Sequence, residues 1–224
     1  MIRLDCVEKK NVGEYVYHTI RQKIIDWELK PGQQMSEQLI AEEINVSRTP
    51  VREAFIKLIG ENLLEARPYI GTFVTLIDVD QVIEARFIRE SLESSVAALT
   101  CNLNVKDYIE FATDNIKKQE MYIKSDDMVS FIECDDEFHK EMYMACNKEM
   151  TWNVVSAANS QYSRLRLLCL FDNNGALLVE EHKNILKAIR QKKPVEAKAA
   201  VQRHLQKILY EIDLVRKRYP EYFK

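Results

Sequence analysis

The placement of backbone breakers constrains this chain more than any other feature. Four of its five glycines, Gly13, Gly32, Gly60 and Gly71, fall in the first third of the 224 residues. From Val79 on, apolar positions recur at helical spacing through segments over roughly 79–101, 105–124, 126–146, 149–170, 176–192 and 195–219. Asp78, Ser125 and Pro194 are suited to start helices, and Asn173-Asn174-Gly175 to make a turn. Such a stretch implies an antiparallel all-α bundle. The first third alternates instead: a helix over about 12–28, a Pro31-Gly32 turn, helices over about 36–44 and 48–60, and two short β-prone runs, Leu63–Ala66 and Thr72–Thr75. The runs flank Arg67-Pro68-Tyr69-Ile70-Gly71, a hairpin turn. Three helices plus a β-hairpin wing make a winged helix-turn-helix. The expected protein is mainly α, with residues 1–77 as a winged head and 78–224 as a helical bundle.

Composition excludes several classes. With 46% hydrophobic and 30% charged residues, the chain can bury a real core and is not a disordered polymer. No apolar run approaches the ~18–20 residues that span a bilayer, and the opening MIRLDCVEKKNVGEY lacks the apolar stretch of a signal peptide, so a cytoplasmic location without membrane partners is expected. Cys6, Cys101, Cys134, Cys146 and Cys169 are odd in number and singly spaced, which suits reduced thiols. The formal net charge of −3 leaves any DNA-binding surface a local feature.

That surface is expected in Ser36–Phe55. Leu39, Ala41 and Ile44 are read as core-facing, Asn45 as the left-handed residue of a tight turn, and Ser47 as the cap of the next helix. The turn places Ser47, Arg48, Thr49 and Arg52 at the leading end of that helix, the end that enters the major groove in helix-turn-helix proteins. The segment SRTPVREAF resembles the recognition-helix signature of the GntR family of bacterial regulators, and residues 12–75 follow that family's winged-helix pattern. The resemblance implies that Arg48, Thr49 and Arg52 contact DNA, that Ser47 meets the backbone, and that Gly71 sits at the wing tip near the minor groove. It also implies a homodimer on an inverted repeat of double-stranded DNA. Asn45 and Asn62 stand where relatives often carry glycine. Gln38 stands where some carry a DNA-touching arginine, which leaves base preference there open.

The bundle holds a second constellation. On a helical wheel over 128–146, Asp135 lies within the apolar face of Met128, Phe131, Ile132, Phe138, Met142 and Cys146, and His139 follows one turn later. Asp136, Glu137 and Lys140 point elsewhere. His182 is central among Leu178, Ile185, Leu186 and Ile189, and His204 flanks a stripe of Ala197, Ala200, Val201, Ile208 and Ile212. One inward histidine is ordinarily a hydrogen-bonded core residue. Three with an inward carboxylate are answered together by a divalent cation, Zn²⁺ foremost, with Ni²⁺, Fe²⁺ or Mn²⁺ as alternatives.

Asp135-x-x-Phe138-His139, Glu181-His182 and His204-Leu205, with Arg89-x-x-Leu92-Glu93, resemble the FCD effector domain of the FadR subfamily within GntR, over about 79–215. That likeness implies Asp135, His139, His182 and His204 as ligands of a metal that takes part in sensing a small organic acid. Arg86, Arg89, Glu90 and Glu93 form a charged stripe, read either as two i, i+4 salt bridges or as an anchor in which Arg89, and secondarily Arg86, receives the effector's carboxylate. Arg164 and Arg166 are further candidates. The expected function is an effector-controlled repressor. A metalloenzyme and a purely structural metal are the rival readings, the former weakened by the absence of HExxH, a nucleophile elbow, a P-loop or a dinucleotide fingerprint.

Overall fold

The computed structural model describes residues 12–172 and 175–224; Cys6, Asn173 and Asn174 lie outside the described residues. Contacts divide the chain into two compact units, one running to Asp78 and taking in Glu221–Lys224, the other spanning Val79–Pro220. The expected division had left the last four residues with the bundle.

In the first unit, α1 (Val12–Ile25), α2 (Glu37–Ile44) and α3 (Arg48–Gly60) surround a core that includes Val16, Ile20, Ile24, Val51, Phe55 and Leu58. Strand β1 (Gln34–Met35) joins β2 (Leu64–Arg67) and β3 (Gly71–Val74) in an antiparallel sheet of order β1-β3-β2, with Gln34 opposite Phe73 and Ala66 opposite Thr72. The wing is thus three-stranded, because the stretch after the Pro31-Gly32 turn pairs with β3. Within α2 the core-facing residues are Ile40 and Ala41, and Leu39 is 66% exposed. Ile40, Ala41 and Ile44 lie within about 100° on the wheel, while Leu39 is about 100° to the other side of Ile40. The sequence reading had Ala41 and Ile44 on that face but put Leu39 there in place of Ile40.

The second unit contains α4 (Val79–Thr100), α5 (Lys106–Lys124), α6 (Met128–Ala145), α7 (Glu149–Ala158), α8 (Ser160–Asp172), α9 (Ala176–Arg190), α10 (Pro194–Gln206) and α11 (Ile208–Arg218). Two expected helices are each divided. The 149–170 segment breaks at Asn159, whose side-chain amide donates to Ser163 Oγ at 3.0 Å. The 195–219 segment breaks at Lys207, where the backbone stays helical (φ −54°, ψ −41°) and Tyr210 N bonds Lys207 O at 3.0 Å in the tighter i→i+3 pattern. Helix α6 starts after Asp127, which caps Ser130 N, and not at Ser125, because Asp126 takes a left-handed conformation (φ 58°) between the helices. Pro194 opens α10 as expected.

Candidate metal centre and nucleic-acid interface

At the head, Ser36 Oγ accepts from Leu39 N and opens α2. Asn45 closes it in the left-handed region (φ 58°, ψ 50°), its N–H returning to the carbonyls of Ala41 and Glu42. Asparagine tolerates this region, so the turn forms without glycine, and Asn62 (φ 56°) does the same after α3. Ser47 occupies the N-cap of α3, yet its hydroxyl makes no capping bond among the described residues. It is exposed, as are Arg48, Thr49 and Arg52 along the leading face of α3, while Val51, Ala54, Phe55 and Leu58 on the other face are buried. Arg48 Nη2 lies 3.6 Å from Glu37 Oε2, a surface pair that solvent screens. Gln38 bonds Glu42 along α2 at 3.0 Å.

Gly71 is not the wing tip itself. It opens β3 opposite Arg67 with φ +140°, and a Cβ there would lie 2.7 Å from Gln34 Nε2, which donates to Ile70 O at 3.2 Å. Glycine lets β1 close on the turn. The exposed tip is Pro68-Tyr69-Ile70, with Tyr69 in a left-handed conformation (φ 62°). Sequence reasoning passed over Tyr69, although an aromatic residue inside a hairpin turn was a visible signal.

In the second unit, α6 brings Asp135 and His139, α9 brings His182 and α10 brings His204 to one buried point, their donor atoms within 4.8 Å of one another. His182 Nε2 is 3.2 Å from Asp135 Oδ1, and His139 Nε2 is 3.7 Å from Asp135 Oδ2. Two imidazoles are hydrogen-bonded through their other nitrogen, and the third faces a carboxylate there. His182 Nδ1 meets Gln119 Oε1 at 2.7 Å, His204 Nδ1 meets Glu181 Oε2 at 2.9 Å, and His139 Nδ1 lies against Glu93 Oε1. A partner on Nδ1 fixes the tautomer that frees Nε2 as an electron-pair donor. Phe138 stacks on the His182 ring, with centroids 4.7 Å apart.

Electrostatics prepare the same donors. Burial holds His182 below the usual imidazole range and His204 well below it, so both are neutral at pH 7. Burial alone would raise Asp135, but Arg166 and the neighbouring histidines outweigh it and hold the carboxyl well below its usual range. Despite these approaches, Asp135 Oδ1, His182 Nε2 and both ring nitrogens of His139 have no partner in hydrogen-bonding geometry among the described residues. Orphaned buried atoms of this kind are costly, and an ion coordinated by three imidazoles and a carboxylate would satisfy them. The residues fit a divalent metal.

Around this point the charged stripe of α4 splits. Both expected salt bridges form, Arg86 with Glu90 and Arg89 Nε with Glu93 Oε2 at 3.0 Å. Arg86 belongs to a surface groove with Phe87, Ser94 and Gln206, away from the cluster. Arg89 is fully buried, its guanidinium 5.5 Å from the Tyr162 ring centroid and its two terminal nitrogens without hydrogen-bond partners among the described residues. Glu93 is drawn down to about 2 because His139 and Arg89 outweigh the effect of its burial.

Arg166 is more central than its secondary place in the sequence reading suggested. It grips Asp135 and, at 2.7 Å, Asp136, and lies 5.7 Å from the same tyrosine ring. With Asp135, Tyr162, His204, Ile208 and Glu211 it lines a narrow cleft of about 30 Å³ leading to the cluster; Arg89 does not line it. The supporting residues Glu93, Gln119 and Glu181 were not recognised from sequence in that role, since nothing local ties Gln119 to a histidine 63 positions away.

Comparisons with known proteins agree with both halves. Residues 13–74 match the model for bacterial regulatory proteins of the gntR family, and residues 84–207 match the FCD domain. The chain is 34% identical to an uncharacterized HTH-type transcriptional regulator in an unstable DNA locus of Streptomyces ambofaciens, over 93% of this chain and 88% of that one. It is 28% identical to the HTH-type transcriptional repressor RspR of Escherichia coli, over 95% and 93% of the respective chains. The solved structure of E. coli McbR/YncC shares the fold with a TM-score of 0.78 at 20% identity, over 93% of this chain and 98% of that one. The two sequence relatives are named as HTH-type transcriptional regulators, and this chain belongs to the GntR family of bacterial regulators, with an FCD domain as its second half.

Proposed function

We propose that this protein is a cytoplasmic repressor of the FadR subfamily that binds an inverted-repeat operator as a homodimer and is controlled by a small organic acid at a metal centre. The observation that carries the reading is the convergence of Asp135 with His139, His182 and His204 in a buried site where each imidazole is backed on Nδ1. Zn²⁺ suits this donor set best, with Ni²⁺, Fe²⁺ or Mn²⁺ as alternatives. When bound, the ion supplies a Lewis-acid position for an anionic oxygen.

The protein's own groups supply the rest. Glu93, Gln119 and Glu181 orient the imidazoles. Arg166 holds Asp135 ionised and presents a guanidinium to the cleft, and Arg89 keeps its terminal nitrogens unpaired for a second carboxylate or hydroxyl. Arg86, committed to Glu90 in a different groove, is given no effector role. In the head, Arg48, Thr49 and Arg52 read base edges and phosphates in the major groove, with Ser47 on the backbone, Gln38 beside it and the Gly71 turn toward the minor groove. The two-fold arrangement of the heads follows from the geometry usual for this motif.

Elemental analysis of protein purified without added metal tests the reading. One divalent ion per chain is expected, lost on replacing Asp135 with Asn and kept on replacing Asp136, which touches Arg166 from the edge of the cluster. Equal losses from the two changes would contradict the assignment. A structural metal without sensing would leave DNA affinity unmoved by any acid that occupies the cleft.

A further inference from the structure

The tip of the wing is built against the preference of its own backbone. Ile70 N bonds Arg67 O at 3.1 Å, which closes a four-residue turn with Pro68 second and Tyr69 third. Proline suits the second place, because its ring fixes φ near about −65°. The third place has φ 62°, a region that turns of this kind fill with glycine or asparagine. A bulky residue is strained there. The head gains no packing in return, since the Tyr69 side chain is fully exposed and Ile70 beside it is 65% exposed.

The surroundings fix this tip and leave it without charge. Gln34 Nε2 donates to Ile70 O at 3.2 Å, and Gly71 makes room for that approach. Arg67 is the only cation from Leu64 to Val74. Its Nη2 and Nε lie 3.1 and 3.3 Å from Glu65 Oε2, and its guanidinium carbon is 4.6 Å from the Phe73 ring centroid, so it leans back along the strands. What projects is Pro68, Tyr69 and Ile70, three uncharged side chains with one phenolic hydroxyl.

This chemistry selects a particular contact with a duplex. An uncharged tip displaces no counterions from phosphates. Paired strands stand about 4.8 Å apart before their side chains are counted, and a minor groove is about 6 Å wide, so the ribbon stays outside it and only the tip side chains enter. Apolar side chains that enter a minor groove act as wedges, parting neighbouring base pairs and kinking the duplex. Unstacking is easiest at the flexible pyrimidine–purine steps TA and CA/TG.

We infer that Pro68-Tyr69-Ile70 is an uncharged minor-groove wedge, led by Tyr69, through which the protein selects deformable pyrimidine–purine steps beside its recognition site. This rests on the DNA-binding reading of the head above. The strained turn is repaid on DNA and not within the head: it holds an aromatic ring clear of the strands, where a glycine would leave the tip blunt. The wedge reads the duplex through its deformability and needs no hydrogen bond to a base edge.

The test uses the full-length chain and a duplex selected from random DNA by the wild-type protein. Permanganate oxidises unstacked thymines, and each TA or CA/TG step contains a thymine. Wild-type protein should raise thymine reactivity at a step flanking the site. Replacing that step with a stiff AA step should weaken wild-type binding about 5-fold or more. Replacing its adenine with 2,6-diaminopurine, which adds an amine in the minor groove and leaves the major-groove edge intact, should weaken it as well. Tyr69→Gly should unfold at no lower temperature than wild type, because it relieves the turn. Tyr69→Gly and Ile70→Ser should bind the selected duplex about 5-fold or more weakly, lose the thymine reactivity and become indifferent to the AA replacement, with an unchanged dependence of affinity on salt. Tip variants that keep wild-type affinity and thymine reactivity would overturn the wedge and leave the DNA-binding reading standing. A salt dependence that falls in these variants would also overturn it, since that marks lost phosphate contacts. A wild type that selects no duplex would overturn the DNA-binding reading and the wedge with it.

Discussion

The protein carries two charged sites built on opposite terms. On the head, Ser47, Arg48, Thr49 and Arg52 are exposed at the start of one helix within six consecutive positions, and the one ion pair among them, Arg48 with Glu37, is at the surface. In the bundle, Asp135, His139, His182 and His204 come from three helices, are buried, and depend on Arg166, Glu93, Gln119 and Glu181 for charge balance and orientation. An exposed site can be rewritten residue by residue at little structural cost. A buried polar site works only as a complete network, because each group left without its partner keeps its full desolvation penalty.

That contrast sets the sizes of mutational effects. Replacing His182 with Ala should have the largest, abolishing stoichiometric metal in elemental analysis while the head's intrinsic affinity for non-specific DNA stays unchanged. Next, Gln119→Leu leaves the ligand set whole but removes the acceptor for His182 Nδ1, and metal affinity measured by competition with a chelator should fall about 10- to 100-fold. If Gln119→Leu were silent, the buried network would be less interdependent than this comparison holds. Arg48→Ala or Arg52→Ala should cost about 1 to 3 kcal/mol at the specific operator if each makes a bidentate guanine contact, with metal content unaltered in either variant. Unchanged operator affinity in both would remove the recognition-helix assignment. The smallest effect is expected from Asp136→Asn, since Arg166 keeps its grip on Asp135, so metal content and chelator competition should stay close to wild type.

The same contrast governs what could be read from the chain before its structure. The recognition turn was legible because its determinants are adjacent: Asn45 supplies the left-handed turn and the spacing from Ser47 to Arg52 fixes one helical face. The inward phase of Asp135 and His139 was legible for the same reason, both lying on one helix among clear apolar neighbours. Leu39 was misplaced because α2 is eight residues long and apolar at positions 39, 40, 41 and 44, too short and too apolar for the wheel to choose a face. The third wing strand is two residues long and leaves no periodic signal. Partners such as Gln119 for His182, or Phe223 for Ile77, pair across 63 and 146 positions, distances over which no local rule applies.

The central claim is that the buried site governs the exposed one. The most direct measurement is operator affinity of wild type, Arg89→Ala and His182→Ala proteins, titrated with the small acid released from purified protein and identified by mass spectrometry. Wild-type protein should release its operator by about 5- to 150-fold as the acid binds, Arg89→Ala should need more acid, and His182→Ala should not respond. An acid that demonstrably fills the wild-type cleft and leaves operator affinity unchanged would contradict the account and reduce the metal to a structural role.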